Sequence, residues 1–93
     1  MVVGVLEVRL FVGDAYSLKD KRRVVKSLKD RIHNRFRVSV AEVGELDRVR
    51  SAVLAVAMVS NDTAHVQSTL DSVVDFLRRP GPAVLIDYST ELL

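Results

Sequence analysis

The sequence predicts an α+β fold, a ferredoxin-like βαββαβ sandwich with a four-stranded antiparallel sheet and two helices on one face. Three observations lead there. Two stretches with helical spacing of apolar residues alternate with four short runs rich in Val and Ile, in the order strand, helix, strand, strand, helix, strand. The apolar share is 48% but aromatics are only 5% and Trp is absent, so Val, Leu, Ile and Ala must build the core, a mixture that favours a sheet. The 93 residues suffice for one core but not two, so residues 1–93 are taken as a single domain.

The first strand is predicted over Val2 to Val12. Its even positions Val2, Gly4, Leu6, Val8, Leu10 and Val12 are apolar, whereas the odd ones include Glu7 and Arg9, so one face is buried. Gly13 to Tyr16 turns the chain. Ser17 followed by Asp20 has the spacing of a capping box and starts a helix whose inner stripe is Leu18, Val25, Leu28 and Ile32, with Val24 beside it. Arg37 to Val43 suits a second strand, and Gly44 to Arg50 a polar connection. Ala52 to Val59 is apolar throughout, as expected of a central strand covered on both faces or nearly so. Ser60 to Thr63 offers cap residues for a second helix marked by Val66, Leu70, Val73 and Leu77, with Arg78 and Arg79 at the end where cations are favourable. Pro80-Gly81-Pro82 stops it, and Ala83 to Tyr88 forms the last strand. Right-handed crossovers then put both helices on one side of the sheet. Leu6, Val8, Leu28, Ile32, Val56, Val66, Leu70 and Leu77 are expected to share the core.

With no cysteine, the chain has no disulfide, thiolate zinc site or thiol nucleophile. The apolar N-terminal stretch is broken by Glu7 and Arg9, lacks a positive leader and is too short to span a bilayer. A cytoplasmic location with no membrane partner is the expectation. Neither His33 nor His65 has the spacing from a carboxylate cluster that a metal face requires. Glu42, Glu45 and Asp47 gather at one hairpin, where Arg48 and Arg50 favour solvated turn acids over a cation site, and no calcium-loop spacing is present. No serine or threonine has a recognisable base and orienting group, and the loop before the first helix matches no phosphate or dinucleotide pattern. The reading is of a non-enzyme with no cofactor.

Charge is unevenly distributed. The net charge is +2, yet Ser17 to Phe36 holds eight Lys/Arg against two Asp, a balance of +6 that leaves −4 for the remainder. Lys19, Arg22, Arg23, Lys26 and Lys29 fall on one side of the predicted helix, with His33 extending the line, and neither acid is expected at the centre of this stripe. Two readings stand: a site for RNA phosphates, or a solvated face that keeps the protein soluble. The strands offer Phe11 and little else for base stacking of the RNA-recognition type. Val3, Val5, Phe11 and Ala55 are expected on the sheet face away from the helices, as plain packing or as the interface of a homodimer. A homo-oligomeric or small-ligand module of the ACT-like kind is therefore the alternative to an RNA- or ribosome-associated one, since fold does not decide function.

The stretch Tyr16-Ser17-Leu18-Lys19-Asp20-Lys21-Arg22 resembles the SLKxKR signature of the bacterial YlxP-like family, whose function is undefined. Phe36 to Val43 is similar to that family's second strand, and Ala52 to Ala57 through Ser60-Asn61-Asp62 to its third strand and following cap, so the resemblance spans almost the whole chain. It implies a ferredoxin-like fold. In many bacteria the family's genes lie among those for translation initiation factor 2 and ribosome-binding factor A, which implies RNA or ribosome work, and it supplies no catalytic residues. Where many members carry an aromatic residue in the second hairpin, this chain has Glu45-Leu46-Asp47-Arg48-Val49-Arg50.

Overall fold

The structure, a computed structural model, describes all 93 residues. Its elements are β1 (Val2–Phe11), α1 (Leu18–Phe36), β2 (Ser39–Gly44), β3 (Ser51–Ser60), α2 (Thr63–Leu77) and β4 (Val84–Leu92). The strands lie in the order β2-β3-β1-β4, each antiparallel to its neighbours. α1 packs over β2, and α2 over β1 and β3. This is the predicted ferredoxin-like α+β arrangement.

All eight residues expected in the core lie in one buried cluster between sheet and helices. Gly4 is buried for a steric reason: a methyl there would stand 2.3 Å from Val66 Cγ1, so its missing side chain lets α2 approach β1. Both helix starts follow the cap chemistry. Ser17 Oγ accepts the Asp20 amide at 3.1 Å, and the Asp20 carboxylate accepts the Tyr16 amide at 3.0 Å. Asp62 Oδ1 caps α2 by accepting the Ala64 and His65 amides at 3.0 and 3.3 Å. Phe36 and Phe76 meet edge to face, 5.9 Å between centroids, and join the two helices at the C-terminal end of α1.

Three expectations are revised. Arg37, predicted to open the second strand, instead ends α1 in the left-handed conformation, φ 55° and ψ 49°, with its amide donating to the His33 carbonyl at 2.9 Å. β4 continues past Tyr88 to Leu92, because Ser89 to Leu92 pair with β1 although their alternation is polar and mostly exposed. β3 is central, but it is not covered throughout: Ala52, Leu54 and Val56 are buried on the helix-facing side, where Met58 is half-buried. On the other side Val53 is buried, Ala55 and Ala57 are half-buried, and Val59 is 64% exposed.

Candidate functional site

The 19 residues of α1 sort their cations by helical rotation into three groups. On the inner side, in line with Val25, Leu28 and Ile32, stands Lys21, whose exposure is 0%. Its ammonium donates to the backbone carbonyls of Glu45 at 2.9 Å, Ser51 at 3.2 Å and Leu46 at 3.3 Å. It also pairs with Glu42 Oε2 at 3.0 Å. A lysine can give only three hydrogen bonds, and the three carbonyls take them, leaving Glu42 Oε2 as an ion-pair partner without a directed hydrogen bond. Lys21 therefore ties α1 to both ends of the β2–β3 connection.

The outer side carries Lys19, Arg22, Arg23 and Lys26, all exposed, and Lys29, half-buried. Only Lys26 has a carboxylate partner, Asp30 at 2.9 Å one turn on. Asp30 thus lies inside the stripe, contrary to expectation, because the 100° step per residue brings it between Lys26 and Arg23. Its hydrogen bond to Lys26 lowers the Asp30 pKa and raises that of Lys26. Lys19, Arg22, Arg23 and Lys29 remain as four cations on one side of the helix with no ion-pair partner. His33 is exposed at the stripe's end, but its Nδ1 donates to the Val38 carbonyl at 2.8 Å and so helps close the α1–β2 connection.

The third group faces α2, and sequence reasoning missed it. The guanidinium carbons of Arg31, Arg35 and Arg79 lie 5.5, 5.6 and 5.8 Å from the centroid of Phe76. None of the three has a carboxylate within ion-pair reach. Arg31 and Arg35 are four apart, a signal visible in the sequence, but Arg79 arrives from the end of α2 and only the tertiary fold brings it in.

Two of the three hairpin acids are engaged, and Asp47 is exposed without an ion-pair partner. Glu42 pairs with Lys21, and Glu45 accepts from the Ser51 hydroxyl and from Arg9 at 2.6 Å. The Ser51 hydrogen bond, with Arg9 behind it, lowers the Glu45 pKa below the ordinary glutamate range. Glu45 itself stands in the left-handed region, at φ 55°. The residues expected on the open sheet face are there, but not as one patch. Val3 and Val5 sit opposite Val59 and Ala57, with Ala55 one pair further on opposite Glu7. Phe11 lies at the far end of β1, beyond Glu7 and the Arg9–Glu45 ion pair. No helix is long and apolar enough to cross a membrane.

Strand order, helix placement and the three-way sorting of α1 define the protein as a ferredoxin-like domain with a basic first helix. The sequence profile described as "Protein of unknown function (DUF503)" matches residues 3–90. The chain is also 33% identical over 76 residues to "Uncharacterized protein YlxP" of Bacillus subtilis (strain 168), an alignment covering 82% of this chain and 83% of that one. It belongs to the DUF503, YlxP-like family. Within the motif that carries the likeness, Ser17 caps α1 and Lys21 anchors the hairpin, whereas Lys19 and Arg22 point to solvent.

Proposed function

We propose that the chain is a non-catalytic, RNA- or ribosome-associated binding module that lays the outer side of α1 along nucleic-acid phosphates. The observation that supports this most is the partnerless state of Lys19, Arg22, Arg23 and Lys29, in a chain whose other carboxylates are distributed elsewhere. A helix face used only for solubility commonly intersperses both signs, while here a single acid, Asp30, is spent on Lys26. Arg31, Arg35 and Arg79 widen the positive surface towards α2. Such a surface neutralises phosphates and releases their counterions, giving affinity without reading sequence. Reversing Arg22 and Arg23 to Glu should weaken binding to every RNA alike, as read by fluorescence anisotropy on two unrelated transcripts at low salt. Equal binding by wild type and variant would reduce the stripe to a solvated face.

A second reading, a homodimer through the open sheet face, is favoured by the apolar corner of Val3, Val5, Ala57 and Val59. Sedimentation showing only monomer at high micromolar concentration would remove it. If the dimer forms, Val5→Lys should dissociate it by burying an unpaired charge.

A further inference from the structure

Past the N-terminal end of α1, between the end of β1 and the β2–β3 connection, lies an open cleft of about 730 Å³. That volume is within the range of small-molecule sites, roughly 300–1,000 Å³. Phe11, Tyr16, Val49, Arg48, Arg50, Asp47 and Ser51 line it. Two aromatic rings reach solvent here, Phe11 at 45% and Tyr16 at 79% exposure. Both are held in place. Arg50 donates through Nε to the Ala15 carbonyl at 3.0 Å and spreads its guanidinium 5.3 Å from the centroid of Tyr16. Phe11 packs beside Gly13, where a methyl would stand 2.9 Å from its Cε2, so the absent side chain leaves the ring room to lie down. Neither Arg48 nor Arg50 has an ion-pair partner, so the lining carries two guanidinium groups against the one carboxylate of Asp47.

We propose that this cleft takes one unpaired nucleotide of an RNA strand, its base stacked on Tyr16 with Phe11 alongside and its phosphate against Arg48. The inference rests on the phosphate-binding reading of α1 for the rest of the strand and adds what α1 lacks, a surface for bases. Exposed aromatics beside arginines suit single strands because every base has a π-face, whereas paired bases are already stacked and out of reach. A strand leaving the Lys19 end of the stripe meets Tyr16 next, since Tyr16 and Ser17 lead directly into α1.

Two strands separate the cleft from the stripe: a fluorescein-labelled adenylate 12-mer and a 12-mer of the same ribose-phosphate backbone without bases. The wild type should bind the first roughly tenfold more tightly, within the range that stacking of a base on an aromatic ring supplies. Tyr16→Ala should abolish that difference and leave the abasic strand's affinity unchanged, with the fold preserved because the ring is exposed. Adenosine monophosphate at millimolar concentration should shift the Tyr16 and Phe11 ring resonances in the wild type. Equal affinity for the two strands together with unmoved rings would overturn the cleft while leaving the stripe intact. Failure to bind either strand would overturn the stripe, and the ring shifts would then decide the cleft alone, their presence upholding it and their absence rejecting it.

Discussion

Lys21 and Arg22 are neighbours in the chain and opposites in the fold. One residue of helix turns the first under α1, onto three carbonyls and Glu42, and the second out to water with no partner. The positive run from Ser17 to Phe36 is thus two features superposed: an inner cation that holds the hairpin and an outer row free to meet an anion. Counting charges along the chain merges them. A buried ammonium must be fully partnered, so its loss is costly, whereas an exposed one costs the fold little and is available for binding.

The largest expected effect is on the inner side. Lys21→Met should destabilise by roughly 3–5 kcal/mol, because Glu42 is left as a largely buried charge without its partner. Adding Glu42→Leu should recover only part, since the carbonyls of Glu45, Leu46 and Ser51 still lack their donor; urea denaturation of both variants gives the comparison. If Lys21→Met proved as mild as a surface change, the division of α1 into two sides would fail. Leu28→Ala, about two turns along the same inner face, should cost about 2–5 kcal/mol through the cavity it leaves under α1. A change within about half a kcal/mol would place Leu28 at the surface instead.

Acid should act next, on the hairpin that Lys21 supports. Glu45 has its pKa lowered in the fold by Ser51 and Arg9, so its contribution is present above the unfolded glutamate pKa and is lost as pH falls through the folded one. Below the ordinary glutamate range the Arg9–Glu45 and Ser51–Glu45 contacts should weaken. The Glu45 carboxyl carbon, followed by NMR, should titrate at lower pH than glutamate in an unstructured peptide. Arg37→Gly is the smallest expected effect and the one gain. Glycine adopts the left-handed conformation without the side-chain clash that Arg37 bears, so stability should hold or rise by up to about 1 kcal/mol in thermal denaturation.

The fold was legible because local signals agreed with one another. Ser17, Asp62 and the Pro80-Gly81-Pro82 stop mark helix limits by chemistry that acts within a few residues, and the even positions of β1 declare its buried face. Misplaced limits have non-local causes. Nothing near Arg37 predicts a left-handed cap on a residue other than glycine, and Ser89 to Leu92 become strand only because β1 offers them partners. The stripe was legible in the same way, as helical spacing of charge, except that Lys21 looked like any other lysine until β2 and β3 folded under it. The Phe76 arginines and the cleft beside Tyr16 were not legible, since each assembles side chains from elements far apart in sequence.

The contrast between the two sides of α1 is tested most directly by the salt dependence of RNA binding, with unfolding free energy measured on the same proteins. The four unpartnered cations of the outer row contribute about −3 to the log–log slope of affinity against salt when they contact a single-stranded region, at about 0.7 per phosphate neutralised. Arg22→Gln with Arg23→Gln should make the slope shallower by about 1.4 by the same relation while stability changes by less than about half a kcal/mol. An unchanged slope, or a loss of binding that tracks a loss of stability, would contradict the assignment of the outer row to phosphates.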